Sequence, residues 1–417
     1  MGRQRVVIIG AGFAGVEVAQ KLKNADVDIL LIDQMNYHVS QPLLFQVATG
    51  ALAASEISVP IRDLFTRQKN CDIIMAKVAS IDPERKVVLL EQNKTVSYDY
   101  LVVAPGSRHS YFGKTSWEQF APGLKTIQDA LHIKKQILTS FEKANLSALD
   151  KEEREKWMSF VIIGGGPHGV ALAGALAELS LKSLPNKYKK IDTTQSRIYL
   201  IDALPRILPA LPERVSEEAQ KRLEDLGVQI LVSSPVLRVD KERVELKDRT
   251  LTAGTILWAA GVEAPSFLTC LKTPLDRQGR VIVLPDMSIE GHRELFVIGD
   301  AACFRGLDQK PLPGLVYVAK QQASYVASII RQSTPPEERN GFSYIDHGFV
   351  VSISRGKAVG TLKDRFVKGL FAWSLWFCVQ LKYLKGIESR LFVFMRWIPL
   401  FFANRRHDLI IDDSTDA

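Results

Sequence analysis

Apolar runs in this chain end at glycines. Val6-Val7-Ile8-Ile9 stops at Gly10, a helix-compatible stretch from Val16 to Leu22 follows Gly15, and a second apolar run from Val27 to Ile32 closes on Asp33. Short continuous apolar runs of this kind predict strands buried on both faces, and strand, turn, helix and strand in succession predict a βαβ unit of a parallel sheet. The pattern then returns. Val161-Ile162-Ile163 meets Gly164, a helix-compatible stretch runs from Val170 to Leu176, and the run from Arg197 to Ile201 ends at Asp202. In the first half, β-like runs at 72–78, 86–90 and 98–103 lead into Ala104-Pro105-Gly106. In the second, runs at 228–232, 244–246 and 255–260 lead into Gly261. Gly106 follows Gly10 by 96 positions and Gly261 follows Gly164 by 97, which predicts an internal duplication.

The remaining segments read as connectors or closing elements. Residues 124–140 have the spacing of an amphipathic helix, and 150–156 is a charge run expected to be solvated. Asp202 lies 33 positions after Gly169, against 18 between Gly15 and Asp33; the lysine-rich stretch 182–196 accounts for the excess as an insertion. Residues 295–302 predict a strand ending at Gly299-Asp300. That aspartate suits either a helix N-cap or a sugar-hydroxyl acceptor.

Both glycine turns have the GxGxxG form of a dinucleotide loop. The first glycine permits the tight bend, the second admits a pyrophosphate against backbone N–H groups, and the third lets helix approach strand. The helix N-terminus attracts the diphosphate. Gly10, Gly12 and Gly15 with Asp33, and Gly164, Gly166 and Gly169 with Asp202, are therefore candidate nucleotide sites, each with a carboxylate for a ribose 2′-hydroxyl. An acid at both strand ends predicts NADH over NADPH; Arg206 nearby is the one residue that could favour a 2′-phosphate.

Composition narrows the class without changing this reading. The 417 residues are 46% hydrophobic and 24% charged, enough chain for two or three domains. A net charge of +8 comes without an arginine-rich run or interleaved stacking aromatics, so a nucleic-acid partner is not expected. Cys71, Cys270, Cys303 and Cys378 are far apart, excluding a local CxxC dithiol or zinc knuckle, and no cluster has metal-ligand spacing. Arg3 and Arg5 before an apolar run do not make a secretory signal, because glycines and Glu17 interrupt it.

The last part of the chain changes character. Residues 342–360 alternate like a short sheet. The runs 369–381 and 391–403 are apolar but shorter than the ~20 residues of a spanning helix, and Arg396 and Pro399 are expected to break the second. Flanked by Lys363, Arg365, Lys368, Lys382, Lys385, Arg390, Arg405 and Arg406, they suit helices lying at an anionic bilayer surface. A buried domain interface or a homodimer contact is the alternative.

Taken together, 10–15, 36–50, 104–108, 164–179, 258–262 and 298–301 resemble the type II NADH dehydrogenases, single-subunit NADH:quinone oxidoreductases of the two-dinucleotide-binding flavoprotein superfamily. The likeness runs nearly end to end. It implies an α/β fold of two Rossmann-like domains plus a membrane-associating region: an FAD domain over 1–118 and 288–340, an NADH domain over 119–287, and a C-terminal β and amphipathic-helix region over 341–417. FAD contacts are then expected at Gly10, Gly12, Phe13, Ala14, Gly15, Asp33, Gln34, Pro42, Leu43, Val78, Ala104, Pro105, Gly106, Asp300, Ala301 and Gln321. NADH contacts are expected at Gly164, Gly166, Pro167, His168, Gly169, Asp202, Ala260 and Gly261.

The resemblance implies hydride transfer from NADH to FAD, then two-electron reduction of a membrane quinone, menaquinone or ubiquinone, on the cytoplasmic side of the inner membrane. With no spanning helix, no proton pumping is expected. Gln321 and Tyr317 are the candidate catalytic residues. Gln321 is the glutamine kept from the family's quinone motif, and Tyr317 stands where that motif has its first glutamine. Ala171 replaces a family glutamate. These two departures keep alternatives open: a low-turnover flavin and NADH sensor, or a flavin reductase using another acceptor.

Overall fold

Val6, Val7 and Ile8 have no exposed surface, and Val161 and Ile162 have none either. Each run is a central strand that pairs in parallel on both sides. The computed structural model describes residues 2–91, 93–146, 150–306, 310–403, 406 and 408–411. The chain forms two compact units: 1–38 with 59–109 and 262–345, and 39–58 with 110–261 and 346–417.

In the first unit Gln4–Ile9 pairs in parallel with Val27–Asp33 on one side and Tyr100–Val103 on the other. Cys71–Met75 extends the sheet beyond Val27–Asp33, and His292–Val297 adds in parallel beside Tyr100–Val103. Helix Phe13–Lys21 returns the chain between the first two strands, and an antiparallel meander of Val78–Asp82, Val87–Leu90 and Thr95–Ser97 precedes the closing strand.

The second unit repeats this order. Ser159–Ile163 lies between Arg197–Ile201 and Thr255–Trp258, with Val228–Leu231 outermost, all parallel. Helix Pro167–Glu178 makes the crossover, and the meander is Arg238–Asp240, Arg243–Glu245 and Thr250–Thr252. The duplication expected from the glycine spacing is thus a duplication of strand order.

Around the second sheet, the amphipathic helix runs over Ile127–Ala144, capped by Thr126 and Asp129, and the charge run is a helix, Lys151–Trp157, capped by Asp150. The alternating segment is strand only from residue 350 onward: Val350–Ser354, Lys357–Leu362 and Arg365–Lys368 form an antiparallel sheet. Gly174 lets that sheet meet the crossover helix, since a Cβ there would lie 1.7 Å from the Ile353 carbonyl oxygen.

The tail ends in helices Gly369–Tyr383 and Ile387–Ala403. Arg396 and Pro399 interrupt the apolar run without ending the helix. Pro399 sits inside the second helix, where its missing N–H weakens the helix without ending it. Ala372, Trp376 and Gln380 are buried at successive turns, as are Ser389, Val393 and Trp397. Phe371 and Val379, and Ile387, Leu391, Met395, Ile398 and Phe402, are exposed on other faces. Among the described residues no helix is long and apolar enough to cross a membrane.

Candidate functional site

The first nucleotide loop is shaped by contacts only glycine permits. Gly10 has φ +97°, and a Cβ there would lie 2.2 Å from the Ala104 carbonyl oxygen; one on Gly15 would lie 1.8 Å from the Gly10 carbonyl oxygen. Gly12 borders open space, and helix Phe13–Lys21 starts with no side-chain cap and no acid in its first turn. Its first N–H groups are left to an anion. The second loop matches atom for atom. Gly164 has φ +114° against Ala259, Gly169 is 1.8 Å by the same measure from the Gly164 oxygen, Gly166 borders open space, and helix Pro167–Glu178 is likewise uncapped and without first-turn acid.

The two acids clamp the loops. Asp33 Oδ2 accepts from Ala11 N–H at 2.6 Å and Oδ1 from Met35 N–H at 2.8 Å. Asp202 Oδ2 accepts from Gly165 N–H at 2.6 Å and Oδ1 from Leu204 N–H at 2.8 Å. Burial raises the Asp33 carboxyl above its ordinary value, against the opposing pull of hydrogen bonds from Ala11, Met35 and Gln34. Each carboxylate still has lone pairs for a hydroxyl donor. Arg206 spends its guanidinium on the carbonyls of Leu211 and Pro209, both at 2.8 Å.

Some of the other expected FAD residues gather in the unit of the first loop. Asp300, in a short 3-10 turn, accepts from Ser107 Oγ at 2.7 Å, and the two line a cleft of about 320 Å³ with Arg280 and the turn from Pro311 to Gly314. Gly299 packs on Ala14 and Ala319 and donates its N–H to the buried Gln322 at 2.7 Å. Ala104 forms the wall against Gly10, Pro105 leads to Gly106 at φ +74°, and Ala301 is buried. Val78 starts the meander, while Pro42 and Leu43 form a 3-10 turn in the other unit.

The two candidate catalytic residues touch adjacent residues, Tyr344 and Ile345, that sequence reasoning missed. Gln321 Nε2 donates to the Ile345 carbonyl at 2.9 Å while its Oε1 accepts from Ile345 N–H at 3.0 Å. Tyr317 stacks on Tyr344, with ring centroids 6.2 Å apart. In the second unit, Ala260 and Gly261 continue from an aromatic cluster. Trp258 Nε1 donates to the Ser110 carbonyl at 2.9 Å, Tyr111 stacks on Trp258 at 4.9 Å, and the exposed Phe112 ring covers Gly261. His168 is exposed and Ala171 buried on the crossover helix.

The segment after Pro42 is held by the tail of the chain. Trp397 Nε1 donates to Gln46 at 2.7 Å, Arg396 to Glu56 at 2.7 Å, and Lys134 to Asp408 at 2.8 Å. Arg406, expected at a bilayer surface, is instead buried and donates to the carbonyls of Thr49 and Ala175. Arg405 lies outside the described residues. Lys368 pairs with Glu218 at 3.0 Å. Lys363, Arg365, Lys382 and Arg390 are exposed.

The signature of the pyridine nucleotide-disulphide oxidoreductases matches residues 4–323. A type II NADH:quinone oxidoreductase of Mycobacterium tuberculosis is 39% identical over 99% of this chain and 91% of its own length. The chain belongs to the type II NADH:quinone oxidoreductases. Another member, from Staphylococcus haemolyticus, is 30% identical over 88% of this chain and 92% of its own. The fold of this oxidoreductase is that of NDH2 from Plasmodium falciparum solved with NADH, at a TM-score of 0.87 and 20% identity over 97% and 99% of the two chains. It is also that of the sulfide:quinone oxidoreductase from Aquifex aeolicus, at 0.73 and 19% over 96% and 95%. All four cysteines here are free.

Proposed function

We infer that this type II NADH:quinone oxidoreductase binds FAD at the loop from Gly10 to Gly15 and NADH at the loop from Gly164 to Gly169, and passes electrons to a membrane quinone. The observation that carries the reading is the pair of equivalent loops, each with an open second glycine, an uncapped helix N-terminus and a carboxylate clamped to the loop. FAD, when bound, supplies two-electron chemistry between a hydride donor and a quinone.

The protein's own residues bind and orient. Asp33 and Asp202 hold their loops rigid and offer acceptors to ribose hydroxyls, while Ser107 keeps Asp300 oriented toward the cleft with Gly314 at its edge. Phe13, Ala14, Gln34, Val78, Ala104, Pro105, Gly106 and Ala301 complete the FAD assignment. Pro167, His168, Ala260 and Gly261 complete that of NADH. Because Arg206 is committed to backbone carbonyls, a 2′-phosphate beside Asp202 would meet a carboxylate, which supports NADH over NADPH. Gln321 is a positioning residue that holds Ile345, and Tyr317 reaches the same segment through Tyr344.

The stripes of exposed apolar residues on Gly369–Tyr383 and Ile387–Ala403, with Lys363, Lys382 and Arg390 exposed beside them, support a bilayer-surface contact. NADH is a cytosolic reductant, which supports the cytoplasmic leaflet. Anaerobic stopped-flow absorbance tests the whole reading: mixing with NADH bleaches the flavin, and mixing with a short-chain quinone restores it. Bleaching without restoration would remove quinone as acceptor, and no bleaching would remove NADH as donor.

A further inference from the structure

A cavity of about 50 Å³ opens in the second unit between the tail helices, strand Val350–Ser354 and the crossover helix. Arg406 lines it. Two of its guanidinium nitrogens are spent on the neutral carbonyls of Thr49 and Ala175, and Nε has no hydrogen-bond partner among the described residues. Glu178, on the same wall, is occupied: Oε2 accepts from Arg355 N–H at 3.0 Å and Oε1 from Lys182 at 3.3 Å. Glu178 lines the cavity with Arg355 and Arg406, and the Arg355 guanidinium is spent on the Leu400 carbonyl. Burial pulls the Arg406 guanidinium down to about 10, as expected for a cation short of counter-charge.

Buried charges are tolerated when paired, and among the described residues no carboxylate bonds this guanidinium, so the site suits an anion. Ser352 and Ser354, both buried, line the cavity. A guanidinium beside hydroxyl donors suits the several acceptor oxygens of a phosphate. A neutral quinone would leave the excess charge standing. Trp373 and Phe401 form apolar walls on the two tail helices, which also carry the exposed apolar stripes.

We propose that this cavity takes the phosphate of one anionic phospholipid, with its acyl chains along the exposed stripe of Ile387–Ala403. The proposal rests on the bilayer contact inferred above. Calorimetric titration of the FAD-loaded enzyme in uncharged detergent tests it with dihexanoyl phosphatidylglycerol, dihexanoyl phosphatidylcholine and inorganic phosphate.

The phosphatidylglycerol is expected to bind about tenfold tighter than the other two. Arg406→Lys, which keeps the charge but loses the fork, and the pair Ser352→Ala with Ser354→Ala are each expected to weaken it about tenfold, ~1.4 kcal/mol. Retained flavin absorbance reports folding, and the serine pair carries the test if Arg406→Lys fails to fold. Equal binding of the two lipids, or variants that bind like the parent, would overturn the site. Equal affinity for phosphate would reduce it to an adventitious ion only. Flotation with phosphatidylcholine–phosphatidylglycerol vesicles separates the two claims. No flotation with intact titration overturns the bilayer contact and keeps the headgroup site; flotation without discrimination in the titration does the reverse.

Discussion

Asp202→Asn is the most informative single change. In the fold this carboxylate accepts two backbone N–H groups, from Gly165 at 2.6 Å and Leu204 at 2.8 Å, and is assigned a third donor, the ribose hydroxyl of NADH. Asparagine keeps one acceptor oxygen and turns an NH2 toward one of these donors, so at least one charge-assisted hydrogen bond is lost. Such a bond is worth about 1.5–3 kcal/mol, or roughly a 10- to 150-fold loss in affinity. NADPH gains relative to NADH, because the charge that repels its 2′-phosphate is gone. The assay is anaerobic flavin bleaching at varied NADH and NADPH, read as apparent dissociation constants and limiting rates. The expected result is weaker NADH binding, a narrower preference between the coenzymes and a limiting rate changed little. NADH affinity within twofold of the parent, with the coenzyme preference unmoved, would refute the assignment of Asp202 to the ribose.

Gly169→Ala sets a Cβ 1.8 Å from the Gly164 carbonyl oxygen, so the helix must retreat; NADH-driven bleaching is expected to be lost while FAD stays bound, checked by flavin absorbance before and after mixing. Asp286 pairs with the buried Arg339 at 3.0 Å and with Arg293 at 2.8 Å. Burial pushes its carboxyl up, but hydrogen bonds from Ser288 and Arg339 with the Arg293 charge outweigh burial and hold it below the usual range. Its stabilisation is therefore present above the ordinary carboxylate pKa and is lost as pH falls through the depressed one. Asp286→Asn should cost about 3–5 kcal/mol at neutral pH, and thermal scans of parent and variant should converge in acid. Gln321→Ala releases both bonds to Ile345 and is expected to slow flavin reoxidation by quinone without slowing bleaching. Tyr317→Phe keeps the ring on Tyr344 and should leave both half-reactions within twofold.

What was legible in the sequence was local. Buried strands are continuous apolar runs, and the turns need glycines at fixed spacing, so both sheets, both loops and both acids could be placed in advance. The acids' clamping role was not legible: it joins Asp33 to Ala11 and Asp202 to Gly165, 22 and 37 positions apart, and no periodicity encodes such a bond. Charge misled at the tail, where Arg406 reads like its neighbours yet is drawn inside by two carbonyls from distant segments. Tyr344 and Ile345 were missed because they lie in irregular chain, whose contacts follow from the helix Val316–Gln332 beside it.

The bonds from Arg396 and Trp397 to the stretch after Pro42 have a consequence for biosynthesis. Gln46 and Trp397 are 351 positions apart, and Glu56 waits similarly for Arg396. At about 5–20 residues per second, roughly 20–70 s of translation separate these partners. The stretch from Leu44 to Glu56 thus leaves the ribosome long before the residues that bond Gln46 and Glu56 are made. Premature stops or ribosome stalls in the last tail helix should leave nascent chains with this stretch open, and such products are expected to be caught by chaperones and proteases rather than accumulate as enzyme.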